Sequence, residues 1–213
     1  MKSQINNLAS QRLVWLDALK GIGILLIMAC HAGLLPRVSI FLTAGYVSIF
    51  FVASGFTYKS KQTFSSEIGK RSKRLLLPYF FYVSLSIILM NIFQIKGDFI
   101  HQVLGMIYSR YSLYFGIKDV GDVSLLTQTC NSPTWFLTAL FTSLMVMYII
   151  KSLKWQWVVI TCLGLSVLNL YLPFLLPWSL DTAFVGALFI YLGKKIRGGN
   201  SGYRMVRLGL VVL

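Results

Sequence analysis

Long apolar segments, separated by basic or turn-forming residues, are the feature that most constrains what this chain can fold into. Six of them cover about residues 19–35, 40–58, 75–95, 132–151, 157–176 and 180–192. A helix needs about 20 mostly apolar residues to cross the hydrocarbon core of a bilayer. The sequence therefore predicts an all-α, polytopic transmembrane helical bundle with about six complete spans. A seventh apolar run starts at Leu208, so we expect the chain to be a C-terminally truncated piece of a longer protein.

Composition and charge agree with this fold class, because 56% of the residues are hydrophobic and 12% are charged. A net charge of +14 would suggest nucleic-acid binding in a soluble protein, but here the basic residues cluster between the apolar segments. If the N-terminus is cytoplasmic, the cytoplasmic segments carry sixteen of the 20 Lys and Arg residues. This bias predicts a protein integral to the plasma or inner membrane with a cytoplasmic N-terminus. Its expected partners include membrane lipids and exclude nucleic acid.

The sequence contains no second domain that we can separate from the first. It predicts a single, incomplete membrane domain over residues 1–213, with a flexible cytoplasmic N-terminus at 1–15 and an extracytoplasmic loop at 96–132. The fourth span is predicted to begin with Ser132 as the N-cap and Pro133 as the first helical residue. The three cysteines have neither pairing nor metal-ligand spacing, so no metal site is predicted.

Three ionisable residues of the first span share one helical face. Lys20 follows Asp17 by three residues, and His31 follows Lys20 by eleven, which returns to within about 20° of the same face. His31 lies about 16 Å further along the helix than Lys20, so Asp17 cannot contact it directly. Ionisable side chains inside a membrane are costly and mark polar pathways. An imidazole that gains a proton near neutral pH is also suited to general-base catalysis.

Each of these three residues also has a structural interpretation. Asp17 can cap the start of the helix, where a carboxylate suits the helix dipole. The Lys20 side chain can extend to the cytoplasmic headgroups. His31 can be a buried hydrogen-bonding residue between helices.

Four segments, in order, resemble the acyltransferase-3 family of integral-membrane O-acyltransferases. The first helix of that family is similar to LDALKGIGILL followed by His31, with the basic residue at the position of Lys20. Later family segments resemble FFVASGF, KRSKRLLLPY and SPTWFLTALF. The segments WFLTAL and LDTAFVGALFIYLG look most like the fucose 4-O-acetylase branch. Many members carry a glutamate after the tryptophan, where this chain has Thr138 and its apolar neighbours.

The resemblance implies an enzyme that moves an acyl group, usually acetyl, from acyl-CoA to a hydroxyl of a sugar or envelope glycan. It implies that His31 deprotonates the acceptor hydroxyl or helps to pass the acyl group across the membrane. Lys20 then lies beside the donor, and Asp17 orients Lys20. The resemblance thus predicts acetyl-CoA as the donor substrate and a glycan or glycolipid as the acceptor. It predicts no permanently bound cofactor.

Two arginines at the cytoplasmic start of the third span are candidates for donor binding. Arg71 and Arg74 are three residues apart, so their guanidinium groups can face one phosphate together. With the resemblance, this spacing favours CoA binding. The alternative is that they fix the topology and bind anionic lipid headgroups.

Three further residues are candidates for binding substrate. Ser54 lines a polar cavity, or Ser54 and Gly55 let two helices pack closely. Trp135 forms a cavity wall, or anchors its helix at the membrane interface. Asp181 binds acceptor hydroxyls, or caps the sixth span.

Two other classes of function remain open on the sequence. A helix with a stripe of charged residues is also compatible with a transporter of a small anion or envelope intermediate. The early end of the seventh apolar run is also compatible with a truncated relative of the family that has no catalytic activity.

Overall fold

A computed structural model describes residues 14–33, 39–59, 63–93, 98–109, 112–115, 123–127, 134–172 and 176–198. We number the helices α1 (Val14–His31), α2 (Ser39–Phe56), α3 (Phe64–Arg71), α4 (Leu77–Ile92), α5 (Phe99–Tyr108), α6 (Trp135–Ile150), α7 (Trp155–Asn169) and α8 (Leu180–Gly198). The described chain is predominantly helical, which confirms the predicted helical class. Two short strands, β1 (Ser112–Phe115) and β2 (Val123–Thr127), pair with each other.

Six membrane crossings are not confirmed, although a helix lies in each of the six predicted segments. Over the residues that are described, one helix, Phe64–Ile92, is long and apolar enough to cross a membrane. The helices α6 and α7 have 16 and 15 residues, which is shorter than the roughly 20 that a crossing takes. The predicted N-cap Ser132, Pro133 and the seventh run at Leu208 lie outside the described residues.

The longest helix begins earlier than the sequence predicted. The third span was predicted to begin near residue 75, but α3 starts at Phe64 and continues through a π-helical turn, Ser72–Leu76, into α4. Pro78 follows this turn. Proline has no N–H for the carbonyl four residues back, and its ring crowds that carbonyl. A wider π-helical turn accommodates this within a continuous helix.

The predicted extracytoplasmic loop at 96–132 contains its own secondary structure. Asp98 caps α5, because its carboxylate accepts a hydrogen bond from the Ile100 N–H at 3.3 Å. In the antiparallel strand pair, Ser112 lies opposite Thr127 and Leu113 opposite Leu126. The helix α5 packs against α4 and β2. The segment predicted as a loop therefore contains a helix and a pair of strands.

The core forms where α8 packs against α2, α6 and α7. Glycines bring α2 and α8 into backbone contact: a Cβ on Gly55 would collide with the Ile190 carbonyl, and one on Gly193 with the Val52 carbonyl. Arg197, near the end of α8, reaches the Phe56 carbonyl at the end of α2, and the earlier residue Gly186 lies against the Phe51 ring. The two helices therefore run in the same direction. Small residues permit this close approach. Buried core side chains around the crossing include Phe51, Ala139, Leu144, Met147, Ala187 and Ile190.

A second cluster attaches α4 and α5 to the core. Tyr79 is fully buried, and its hydroxyl donates a hydrogen bond to the Met106 carbonyl at 2.8 Å. Trp178, in the short 3₁₀ turn before α8, donates from its indole N–H to the Ile107 carbonyl at 2.8 Å. The Thr142 hydroxyl in turn donates to the Trp178 carbonyl at 3.1 Å. These bonds connect α4, α5, α6 and the start of α8.

Candidate functional site

Helix ends gather at one end of the bundle. Trp15, at the start of α1, lies edge-on to Phe56, at the end of α2, with ring centroids 5.1 Å apart. Phe64 starts α3 beside Tyr148 near the end of α6, at 5.2 Å. At the start of α7, the ring of Trp155 lies 4.7 Å from the Lys195 ammonium near the end of α8. The starts of α1, α3 and α7 therefore meet the ends of α2, α6 and α8.

We call this the basic end, because positively charged residues concentrate there. They lie in the last turns of these helices or in the residues that connect one helix to the next: Lys59, Lys70, Arg71, Lys73, Arg74, Lys151, Lys154, Lys194, Lys195 and Arg197. Such a concentration of one charge attracts anions. It corresponds to the side that the sequence assigned to the cytoplasm.

A cleft of about 270 Å³ opens at the basic end, between the end of α2, α3, the π-helical turn and α6. Its lining residues are Ser54, Thr57, Tyr58, Lys59, Glu67, Lys70, Arg71, Arg74, Leu75, Leu140 and Leu144. Three residues that the sequence singled out, Ser54, Arg71 and Arg74, thus meet in one cavity. Tertiary folding brings Ser54 to the two arginines from another helix.

The cleft is cationic at its rim and apolar at its base. Lys59, Lys70 and Arg74 are exposed, whereas Leu140 and Leu144 are buried. A ligand with several phosphates and an apolar or amphipathic arm suits this distribution of charge and apolar surface.

An ion pair lies inside the cleft. Arg71 and Glu67, one helical turn apart, form a salt bridge through Nη2 and Oε1. Glu67 is 1% exposed, and the Arg71 guanidinium carbon lies 5.1 Å from the centroid of the Tyr58 ring. Sequence reasoning missed Glu67, although its i,i+4 spacing from Arg71 was visible as a helical ion-pair signal.

The residues of α1 do not belong to the lining of this cleft, within the part of the chain that is described. Asp17 is exposed and lies in the first turn of α1. Lys20 is half-buried. His31 is the last residue of α1, and its side chain lies outside what the structure describes. Because α1 is one helix from Val14 to His31, the backbone positions of the predicted stripe are preserved. The roles of these three residues stay predictions.

Trp135 and Asp181 lie away from the basic end. Trp135 is the first residue of α6 and packs edge-on against Phe136, with centroids 6.5 Å apart. Asp181 lies in the first turn of α8, and its backbone carbonyl accepts a hydrogen bond from the Asn169 amide at 3.2 Å. The structure therefore does not bring Trp135 and Asp181 together with Ser54, and their predicted roles remain open.

Over the described residues, no group of three or more His, Cys, Asp or Glu side chains is arranged to hold a metal ion. The model of the Acyl_transf_3 family, described as an acyltransferase domain, matches residues 13–213. No curated protein matches the chain, and no solved structure matches it either. The family match covers the first helix, the cleft and α8 together.

Proposed function

Because the chain belongs to the Acyl_transf_3 family, and is thus an acyltransferase of a membrane-associated family, we propose that it is an O-acetyltransferase. It moves an acetyl group from acetyl-CoA to a hydroxyl of a cell-surface or envelope saccharide. The observation that carries the proposal is the cleft that joins Arg71 and Arg74 to an apolar base. The phosphates of CoA bind at the cationic rim, and the acyl-bearing arm extends over the apolar residues.

The reaction needs a base for the acceptor hydroxyl. In this proposal His31 takes the hydroxyl proton as the oxygen attacks the thioester carbonyl carbon, and the carbon–sulfur bond breaks. The proton passes to the departing sulfur, so an ester and the free thiol of CoA are formed. His31 lies about 16 Å along α1 from Lys20, so the acyl-bearing arm extends from the basic end toward it. Lys20, oriented by Asp17, lies beside that arm.

The acceptor binds toward the opposite end of the bundle. Trp135 and Asp181 lie at the starts of α6 and α8, which places them away from the donor phosphates. We assign them to the glycan or glycolipid acceptor, with Ser54 near the donor arm. The basic end faces the cytoplasm, the N-terminus is cytoplasmic, and the protein lies in the plasma or inner membrane among anionic lipids.

Transfer of labelled acetyl from acetyl-CoA to saccharide, by membranes that contain the protein, tests this proposal. His31→Ala should abolish transfer. Cys30→Ala is the matched control, because Cys30 is adjacent in sequence but about 100° around the helix, and it should leave transfer unchanged. Full activity in His31→Ala would reject the base assignment. Absence of transfer by the wild-type protein, with any saccharide of the envelope, would reject the enzyme itself.

A further inference from the structure

A buried carboxylate in a cleft that attracts anions requires an explanation. Glu67 lowers the positive potential beside Arg71, and it is 1% exposed. Burial of a charged pair is unfavourable unless its geometry and additional hydrogen bonds offset the lost hydration. Here the hydrogen bonding is incomplete: within the described residues, Glu67 Oε2 and Arg71 Nε have no hydrogen-bond partner. Stability of the fold is therefore a poor explanation for this pair.

Two neighbouring groups, the Glu67 carboxylate and the Tyr58 ring, fix the position of the Arg71 guanidinium. Glu67 contacts Nη2 from one helical turn away, and the Tyr58 ring lies under the guanidinium at 5.1 Å. Only 16% of the Arg71 side chain is exposed. Lys59, Lys70 and Arg74, by contrast, are exposed. Arg71 is therefore the one restrained cation among the four that line the described cleft.

We propose that Glu67 is a positioning residue that holds the Arg71 guanidinium in the orientation in which it receives a phosphate of the donor. A guanidinium recognises phosphate through a rigid fork of N–H donors, so orientation affects binding more than it would for an ammonium. A side chain that is already ordered loses less conformational entropy when the ligand binds. The identification of that phosphate as part of acyl-CoA rests on the proposed function.

The direction in which one substitution changes phosphate affinity separates this proposal from a purely electrostatic role of Glu67. Glu67→Gln removes a negative charge from the cleft, so the field alone would make phosphate bind more tightly. The positioning role makes it bind more weakly, because Arg71 loses its charged partner. Glu67→Asp keeps the charge but withdraws the carboxylate by one methylene. It should also weaken binding, whereas the field alone predicts no change.

The test is calorimetric binding of pyrophosphate to the full chain in lipid nanodiscs. We expect Glu67→Gln to weaken binding about three- to tenfold, the factor expected when one immobilised side chain regains its freedom. Lys154→Gln is the control, because Lys154 is exposed and does not line the cleft. In an Arg71→Lys background, Glu67→Gln should have no further effect, since Glu67 acts through Arg71.

Unchanged or tighter binding in both Glu67 variants would overturn the inference, as would a wild-type protein that does not bind pyrophosphate. Acetyl-CoA turnover provides a separate readout, in which Glu67→Gln should raise KM for acetyl-CoA and leave kcat nearly unchanged. A wild-type protein that binds pyrophosphate through Glu67 and Arg71 but transfers no acetyl group would keep this inference and reject the proposed function.

Discussion

The side chain of Arg197, near the end of α8, donates a hydrogen bond to the backbone carbonyl of Phe56, the last residue of α2, at 2.9 Å. The carbonyls of the last helical turn have no intrahelical partner, and a cation there also suits the helix dipole. Arg197 therefore caps α2 from a position 141 residues away in the sequence. It holds the end of α2 beside α8, where the cleft begins.

Arg197→Ala should lower the free energy of unfolding by about 1–2 kcal/mol, because it leaves a carbonyl of α2 without its charged donor. Thermal unfolding of the detergent-solubilised protein, followed by tryptophan fluorescence, measures this. Lys73→Ala removes an exposed positive charge and should change stability little. Equal effects of the two substitutions would show that the cap contributes nothing beyond charge.

Gly55→Ala should destabilise the protein by about 1–3 kcal/mol, the cost typical of overpacking. The added Cβ would collide with the backbone carbonyl of Ile190, which cannot move without separating α2 from α8. Gly45→Ala on the same helix meets no atom of the described residues within 4 Å and should be neutral or slightly stabilising, since alanine favours helix. The same unfolding assay measures both, and equal stability of the two variants would contradict the described crossing.

Tyr79→Phe should cost about 1–2 kcal/mol, because it removes a buried hydroxyl that donates to the Met106 carbonyl. That carbonyl lies in the last turn of α5, where helix carbonyls generally lack an intrahelical partner. Tyr82→Phe, at an exposed position of the same helix, is the control. Hydrogen exchange of α5 amides should rise in Tyr79→Phe alone, and unchanged protection would mean that the bond does not hold α5 on α4.

Arg71→Ala and Arg74→Ala should both raise KM for acetyl-CoA, but with different salt dependence. Arg74 is exposed, so its interaction with phosphate is screened at high ionic strength. Arg71 is largely buried, so its contribution should persist. Steady-state kinetics at about 10-fold different salt concentrations compares them. If both effects vanish at high salt, Arg71 acts only through the general field of the basic end.

Sequence reasoning located Arg71 and Arg74 from their i,i+3 spacing, and Ser54 from the resemblance of its segment to the family. It placed the arginines at the start of a third span that begins near residue 75, so no helix was predicted around Glu67. The structure continues the helix through them with a π-helical turn. Glu67 was missed for the same reason, because an i,i+4 ion pair is expected only where a helix is expected.

The sequence alone determined the helical class and the approximate helix positions, through the lengths of its apolar segments. Through the positions of its basic residues, it also determined the concentration of positive charge at alternate helix ends. These properties depend on local periodicity and composition. The tertiary structure alone decided that Ser54 meets Arg71 in one cleft and that Glu67 is buried against Arg71. It also decided that Arg197 caps α2, because that contact depends on how glycine-bearing faces let α2 and α8 approach. No local pattern encodes that approach, since it requires two segments about 140 residues apart to pack backbone against backbone.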